Sequence, residues 1–425
     1  MTLGYCDSEF LMKPLYPLSE LISIDIAEKR IKNLNGYLHA VTCYKPMDLS
    51  KELHVLVKDN IGVEGFPTTA GSYALRNLYL KDAPCIQRLK KSGIVDVFGK
   101  TTMTELAGFV STDPRTRGYS ELGGQGKNPH GESLTPGGSS SGSAIAVASG
   151  FCEVALGTET NGSLMIPGLA NGVYAFKPTR GMISSSGIIP LSSTFDTPGI
   201  IARSISSLNR VFSIMKEANK KLDSIHKDSI RLAFLNFKNK PIDPELEIYF
   251  QYLKRTLCEV NIEIVTVDVE ETKFDYRLIS NWDFRHDVDR FLRKASCPNT
   301  PQSFDELYEC YYQRDQSHPF GMNRLEEAAT INMSSEKHAD LVSFTLQRAR
   351  NTIDFVLQQT ESEALIRFDY CDWWAISGFP SLTVPIGKRQ NKAPIVMMIG
   401  GSFATDLNLL RIGKRIEELK LYDSS

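Results

Sequence analysis

The chain has 425 residues, 42% of them hydrophobic, and a formal net charge of −2, so it can bury a large core but lacks the charge of a general nucleic-acid or membrane-surface protein. No run approaches the roughly 20 apolar residues that span a bilayer. Its eight cysteines are scattered without a CxxC pair and its seven histidines lack metal-ligand spacing, so we expect reduced thiols, no metal or other cofactor, and a cytoplasmic protein.

The first 105 residues are predicted to start with a largely helical segment, followed by alternating strands, loops and helices. The first 20 residues lack a basic region followed by an apolar core, which predicts no secretory signal. Residues 1–50 are predicted to be largely helical, with apolar positions at helical spacing over 18–34. An apolar strand at 53–57 then ends at Lys58. The elements predicted after it are a loop at 62–74, a helix at 83–92, a strand at 94–98 and a turn at 99–105.

The most informative part of the chain is a Gly- and Ser-rich stretch, 136–179. Within it a helix is predicted to start at 144–148 and a strand is predicted at 153–156. Two hydroxyl-bearing loops are therefore joined by a helix and a strand. Such a unit can bring Ser139 and Ser163 to the same end of a sheet.

Three other interpretations of this stretch are weaker. A flexible Gly/Ser linker is disfavoured because the flanking residues are apolar and periodic. A phosphate-binding P-loop needs a lysine directly after the glycines, and none occurs between Lys127 and Lys177. The GxSxG pattern of the α/β-hydrolases matches at Ser140, but a run dense in Gly and Ser produces that pattern easily and no clear strand precedes it.

The alternation of helices and strands continues to about residue 215 and favours an α/β sheet with helices on its faces. The segment 187–199 is expected to cap the core. The segment 270–340 is polar and aromatic and carries no motif, so we expect a variable lobe that shapes the pocket. The other predicted elements are strands at 229–236, 261–268, 379–386 and 394–399 and helices at 244–260, 337–359 and 405–419.

Several segments, in this order, resemble the motifs of the amidase signature family. They are VLVKDN at 55–60, GKTTMTE at 99–105, GGSSSGSA at 137–144, GTETNGS at 157–163, GVYAFKPT at 172–179 and GIIPLSSTFDTPG at 187–199. The resemblance implies an α/β fold with a central mixed, twisted β-sheet flanked by helices. It implies one amidase domain over 1–425, with a catalytic core at about 50–215 plus 340–425 and a variable pocket lobe at about 220–340.

Amide hydrolysis needs a nucleophile, a base that activates it, and donors for the developing oxyanion. A lysine serves as the base only when it is neutral, and burial lowers a lysine pKa by up to roughly 3–5 units. Lys58 follows an apolar strand, while Asp59 is expected to point to the opposite face. From the residues alone, a surface lysine that extends its amine into water remains the alternative for Lys58.

The resemblance implies a role for each polar residue of the stretch. Lys58 is the expected base, Ser139 the relay and Ser163 the nucleophile that forms an acyl-enzyme, and the Gly138–Ser139 peptide bond is expected to be cis. The other serines of the first loop, Ser140, Ser141 and Ser143, are interpreted as turn and helix-capping residues. The expected oxyanion donors are the N–H groups of Thr160, Asn161, Gly162 and Ser163, and Met103 and Gly138 are expected to border the substrate.

Three residues depart from the family pattern. Asn161 stands where the family has glycine, and asparagine tolerates a positive φ better than most residues. Glu159 replaces aspartate. Met165 replaces an arginine, and a thioether does not reproduce a bidentate guanidinium. We therefore expect a less cationic pocket wall at Met165 and a preference for neutral amides.

The resulting expectation is a stand-alone amidase that hydrolyses a small-molecule carboxylic amide, without nucleic acid or membrane as partner. Two alternatives stay open: the glutamine-using amidase subunit of a tRNA-dependent amidotransferase, and a catalytically weak scaffold. A homodimer also stays open.

Overall fold

The computed structural model describes residues 13, 15–18, 20, 22–217, 228–314 and 318–422. Their strands are β1 Val41–Tyr44, β2 Leu53–Lys58, β3 Val95–Thr101, β4 Tyr119–Ser120, β5 Gly124–Gln125, β6 Val154–Glu159, β7 Tyr174–Lys177, β8 Thr197–Ala202, β9 Ile230–Phe237, β10 Ile262–Val269, β11 Ala364–Arg367, β12 Ser381–Lys388 and β13 Pro394–Gly400. Their α-helices are α1 Ile24–Leu38, α2 Pro84–Lys91, α3 Ser141–Ala148, α4 Met165–Asn171, α5 Ile205–Met215, α6 Pro244–Cys258, α7 Tyr276–Ala295, α8 Phe304–Tyr312, α9 Asn323–Ala329, α10 Ser335–Thr360, α11 Trp373–Ser377 and α12 Asp406–Glu417.

Eleven of these strands form one mixed sheet, in the order β1-β3-β2-β6-β8-β7-β12-β13-β11-β9-β10. The pairs β3–β2, β2–β6, β11–β9 and β9–β10 are parallel, and the other neighbours are antiparallel. The predicted α/β class with a mixed sheet is therefore confirmed. None of the described helices is long and apolar enough to cross a membrane.

Helices cover both faces of the sheet because its strands are apolar on both sides. In β2, Val55 and Val57 point into one apolar cluster and Leu56, between them, into the other, as the two-residue period of a strand requires. Helices α2, α5, α6 and α12 pack on the first face. Helices α1, α3, α10 and α11 pack on the second.

A third apolar cluster joins a helical layer to the sheet near the ends of β2 and β3. Its helical part comes from α7, α8 and α9, represented by Phe284, Leu307 and Leu325. Its other part includes Met103 and Phe109, and the Phe109 ring stacks on Phe284 at 4.0 Å between centroids. The segment predicted as a pocket lobe, 220–340, thus has two parts. Its strands β9 and β10 belong to the main sheet, and its helices α7, α8 and α9 form the layer over the ends of β2 and β3.

Side-chain caps explain where several helices begin. Ser23, Ser204, Asp243, Ser303 and Ser334 each accept a backbone N–H from the first turn of the following helix. The prediction of a largely helical N-terminus is wrong in detail for the described residues, because α1 begins only after Ser23 and is followed by strand β1. Residues 1–12 of that prediction lie outside the described residues.

Candidate active site

Lys58, at the end of β2, lies fully buried against the first loop of the Gly/Ser stretch. Its Nζ is 2.7 Å from Ser139 Oγ and donates to Thr158, at 2.9 Å to Oγ1 and 3.2 Å to the carbonyl oxygen. Burial lowers the pKa of Lys58 to about 7, against the opposing effect of the nearby Asp196 and Glu159 carboxyl groups. The alternative of a surface lysine is therefore wrong. Asp59 points elsewhere, as predicted, with a carboxylate 3.6 Å from Lys100 Nζ.

Lys58 differs from the other buried lysines of the described residues in what it contacts. Lys100 Nζ donates to the Ile61 carbonyl at 2.6 Å and to Thr68 Oγ1 at 3.1 Å. Lys177 Nζ donates to the Phe379 carbonyl at 2.5 Å. Among these three lysines, only Lys58 contacts a serine hydroxyl.

The two loops meet as the predicted helix–strand unit requires. The Ser140 N–H donates to the Ser163 carbonyl at 3.1 Å, and the Ser140 hydroxyl donates to the Thr158 carbonyl at 3.1 Å. The Gly138–Ser139 peptide bond is cis, as the resemblance implies. A Cβ at Gly138 would lie 2.5 Å from Thr104 Oγ1, so a larger residue there would displace the Thr104 side chain.

Two of the remaining serines of the first loop, Ser140 and Ser143, have structural partners, whereas the buried Ser141 hydroxyl has no hydrogen-bond partner within the described residues. Ser143 Oγ donates to the Leu156 carbonyl at 2.8 Å and is 2.8 Å from Thr101 Oγ1. Ser140 stands at the N-cap position of α3, but its side chain bonds to Thr158 and makes no capping hydrogen bond. The interpretation as structural residues fits Ser140 and Ser143, whereas the capping role predicted for Ser140 is wrong.

The turn that carries Ser163 is held at its end by the carboxylate of Glu159. This buried carboxylate accepts the N–H groups of Leu164 at 2.8 Å and Met165 at 3.0 Å, and also that of Gly162. Within the described part of the chain, the N–H groups of Thr160, Asn161 and Ser163 have no hydrogen-bond acceptor. Of the four predicted oxyanion donors, the Gly162 N–H faces Glu159, and the N–H groups of Thr160, Asn161 and Ser163 are available for a ligand.

In this turn Gly162 has a left-handed backbone conformation, with φ +84°, whereas the φ of Asn161 is not positive. A Cβ at Gly162 would lie 2.6 Å from Ile166 Cδ1 and 2.9 Å from Tyr370 Cζ. The expectation that Asn161 replaces a residue with positive φ is therefore wrong. Asparagine fits this position without using its tolerance of that conformation.

Asp196 connects the same turn to the segment 187–199. Its Oδ1 accepts Thr160 Oγ1 at 2.5 Å, and its Oδ2 accepts the N–H groups of Leu191 at 2.8 Å and Ser192 at 3.0 Å. Burial raises the pKa of Asp196 to about 6. The segment was expected to cap the core, yet Asp196 reaches the site and Thr197 begins strand β8.

Two carboxylates of helix α7 bind the segment 187–199. Asp283 accepts a hydrogen bond from the Ser192 hydroxyl, and Asp287 accepts the Ser193 N–H at 2.7 Å. The partner of Asp283 on its other side is His338, with Nε2 2.8 Å from Asp283 Oδ1. We call Asp283 and Asp287 the α7 clasp.

Two methionines lie elsewhere than predicted. Met103 is fully buried in the third apolar cluster, beside Asn60 and Ile189, and borders only a small enclosed void. Met165 is fully buried in the cluster on the second face of the sheet and does not line the cavity of about 840 Å³ beside the site. Its predicted position in the pocket wall is wrong, because α4 turns this side chain into the core.

A cavity of about 840 Å³ lies beside the site, lined by Thr158 and Thr160 but not by Lys58, Ser139 or Ser163. Its buried wall includes Asn60, Thr158 and Thr160. Thr158 contacts Lys58, and Thr160 lies three residues before Ser163. Its rim carries exposed charged residues from two walls: Lys81, Arg290 and Lys294. Apolar residues between them are Leu80, Ile188, Pro190, Leu191 and Phe291. The cavity has the volume and mixed lining of a small-molecule site.

Sequence reasoning missed three residues at the site. Thr158 holds Lys58 through both its hydroxyl and its carbonyl, and Asn60 Nδ2 donates to the same hydroxyl at 3.1 Å. Both lie inside the recognised segments, so their position could have revealed them. Tyr370 donates to Asn161 Oδ1 from the distant loop between β11 and α11, where no motif marks it.

Comparison with known proteins gives consistent matches over most of the chain. The profile of a family described as Amidase matches residues 51–362. The mandelamide hydrolase of Pseudomonas putida is 30% identical, over 95% of this chain and 85% of the relative. A glutamyl-tRNA(Gln) amidotransferase subunit of Sulfolobus acidocaldarius is 25% identical, over 94% of this chain and 89% of the relative.

A solved structure matches the whole fold. The native peptide amidase from Stenotrophomonas maltophilia superposes with a TM-score of 0.83 at 26% sequence identity. The superposition covers 94% of this chain and 93% of that chain.

Proposed function

The chain belongs to the amidase family and is a hydrolase that acts on amides, and on that premise we propose that it works through a serine acyl-enzyme with Lys58, Ser139 and Ser163 as base, relay and nucleophile. The observation that carries the proposal is the buried Lys58 Nζ at 2.7 Å from Ser139 Oγ. With a pKa of about 7, this amine is largely neutral at slightly alkaline pH and can accept a proton.

In the proposed first half-reaction, Ser163 Oγ attacks the carbonyl carbon of the amide. Its proton passes to Ser139 Oγ as the Ser139 proton passes to Lys58 Nζ. The oxyanion is stabilised by the free N–H groups of Asn161 and Ser163. The proton then returns through Ser139 to the leaving nitrogen, the C–N bond breaks, and ammonia or an amine departs.

In the second half-reaction a water molecule attacks the ester carbon and gives its proton to the same relay. The Ser163–acyl bond breaks, Ser163 recovers its proton and the carboxylic acid is released. Thr158 supports both steps, because it accepts two hydrogen bonds from Lys58 Nζ and so holds the amine in place. At the end of the second half-reaction, all three residues are back in their starting protonation states.

The cavity supports an amide of small-molecule size as the substrate, because its volume of about 840 Å³ lies in the range of ligand sites. The similarity to the mandelamide hydrolase and the peptide amidase supports the same class. The scattered cysteines support a cytoplasmic location as part of the proposal.

The second candidate is the glutamine-using subunit of an amidotransferase, favoured by the 25% identity with such a subunit over 94% of this chain. That candidate predicts glutamine as the nitrogen donor and strong stimulation by partner subunits. The stand-alone amidase predicts that the isolated chain releases ammonia from amides other than glutamine.

Ammonia release by the isolated chain, measured over aliphatic, aromatic and amino-acid amides and glutamine, separates the two candidates. In parallel, a fluorophosphonate probe should label Ser163, and mass spectrometry locates the label. Ser163→Ala should abolish both labelling and turnover, while Ser143→Ala serves as a control for a buried serine of the same stretch. Labelling of a serine other than Ser163 in active protein contradicts the assignment, and turnover of glutamine alone, only with partners, contradicts the stand-alone activity.

A further inference from the structure

Tyr370 connects a distant part of the chain to the turn that carries Ser163. It lies in the loop that follows β11, three residues before α11 begins at Trp373. Its hydroxyl donates a hydrogen bond to Asn161 Oδ1. Its ring packs so close to the turn that a Cβ on Gly162 would lie 2.9 Å from Tyr370 Cζ. Tyr370 therefore contacts two consecutive residues of the turn.

The carboxylates that hold this turn bind residues other than Asn161, whose side chain is held by Tyr370. Glu159 holds Gly162, Leu164 and Met165 through their N–H groups. Asp196 holds the Thr160 hydroxyl. Since the N–H of Asn161 has no acceptor within the described residues, its side chain is the point at which the backbone orientation of this residue is fixed.

The Tyr370 hydroxyl remains a hydrogen-bond donor under ordinary conditions. Burial, together with the Glu159 carboxyl group, raises the pKa of Tyr370 well above its usual value. A phenol that does not ionise donates a hydrogen bond to an amide oxygen at every pH at which the enzyme is expected to work. The contact is therefore independent of the titration of Lys58.

We propose that Tyr370 is a positioning residue, which acts through Asn161 to orient the free N–H groups of the turn toward one acyl oxygen. The inference rests on the proposed role of this turn as the oxyanion site. Such donors act mainly in the transition state, so a change in their direction lowers kcat more than it changes KM. Asn161, where the family has glycine, gives this chain a side chain that Tyr370 can hold.

The test compares Tyr370→Phe, Asn161→Ala and the double variant with the wild-type chain. Loss of one oxyanion donor costs about 10²–10³ in rate, and misdirection of a retained donor costs less. We expect kcat to fall by about 10- to 100-fold in each single variant, with KM within about twofold. Because both changes remove the same hydrogen bond, the double variant should be no slower than the slower single variant.

Tyr249→Phe is the matched control. The Tyr249 hydroxyl donates to the Ile386 carbonyl on strand β12, away from the site. This variant also loses one hydrogen bond of a tyrosine, so its melting temperature should fall by a similar amount while kcat stays unchanged. The acid limb of the pH profile should be the same in all variants, because Lys58 is untouched.

Unchanged kcat in Tyr370→Phe, or rate losses of the two single variants that multiply in the double variant, overturns the inference. If Tyr370→Phe does not fold, Asn161→Ala alone removes the hydrogen bond, and an unchanged kcat there overturns it as well. A wild-type chain that cleaves no amide refutes the proposed function instead, so the two failures are distinguishable.

Discussion

At the scale of single residues, the burial of Lys58 determines the pH range in which a neutral base is available. Since the pKa of Lys58 is lowered to about 7, the amine is protonated below that pH and neutral above it. We predict that kcat/KM rises with pH, with an apparent pKa near 7 on the acid side, and then reaches a plateau. A pH profile of the purified chain with a neutral amide measures this limb.

Lys58→Ala tests the proposed role of Lys58 as the base. It should lower kcat by about 10³-fold, in the range found for removal of a general base, while circular dichroism remains that of the folded protein. Lys100→Ala removes another buried lysine that contacts no serine and serves as the control for activity, provided that the variant folds. A near-normal rate in Lys58→Ala would refute the role of Lys58.

Single residues also show what the sequence could predict. Lys58, Ser139 and Ser163, the proposed base, relay and nucleophile, could be singled out because each lies in a short segment whose order along the chain is informative. The φ of Asn161 and the orientation of Met165 were predicted wrongly, because both depend on how the turn packs against Ile166 and Tyr370 and on how α4 meets the core. No local pattern could reveal Tyr370, since its contact with Asn161 depends on the tertiary fold alone.

At the scale of elements, the turn between β6 and α4 requires glycine at position 162 for two separate reasons. Its φ is +84°, and a Cβ there would collide with Ile166 and Tyr370. Gly181 has the same φ of +84°, but nothing lies within 4 Å of the position that its Cβ would take. The two glycines therefore form a matched pair that separates backbone strain from a steric clash.

We predict that Gly162→Ala lowers kcat by about 10²-fold or more, because the clash displaces the neighbouring N–H donors. Gly181→Ala should cost about 1–2 kcal/mol of stability from the left-handed backbone and leave kcat within about twofold. Steady-state kinetics and thermal unfolding of both variants test the pair. Equal kcat losses in the two variants would show that the contacts at Gly162 do not matter for activity.

Several strands of the sheet were predictable because their apolar residues are continuous or alternate with polar ones. The strands β2, β9, β10, β12 and β13 lie close to their predicted positions. The helices of the lobe were not predicted, because α7 carries buried polar residues such as Asp283 and Asn281 among its apolar positions. Those polar residues face the segment 187–199 and α9, a requirement that the helix period alone does not contain.

At the scale of the whole molecule, the charges around the cavity predict a substrate preference. At the rim, Asp82 pairs with Lys90 at 2.7 Å and Asp287 pairs with Arg290 at 3.3 Å. Lys81 and Lys294, by contrast, form no ion pair within the described part of the chain. The rim is therefore cationic, and the preference for neutral amides expected from Met165 loses its basis, since Met165 is in the core.

We predict that an amide with a distant carboxylate has a kcat/KM about fivefold above that of its neutral isostere, since unit charges 4 Å apart in water interact by about 1 kcal/mol. Lys294→Glu should reverse the preference, and added salt should reduce it in the wild type. Lys32→Glu, an exposed change of the same charge on α1, should leave the preference unaltered. Equal rates for both amides in the wild type at low salt would contradict the prediction.

The α7 clasp has a consequence for protein engineering. Asp283 and Asp287 belong to the helical lobe, yet they hold Ser192 and Ser193, whose neighbour Asp196 reaches the turn beside Ser163. A lobe transplanted from a relative to change the substrate range must therefore bring two acidic residues one helical turn apart at this place. A chimaera that omits them would retain Ser163 and lose the alignment of the loop beside it, whatever the quality of its new pocket.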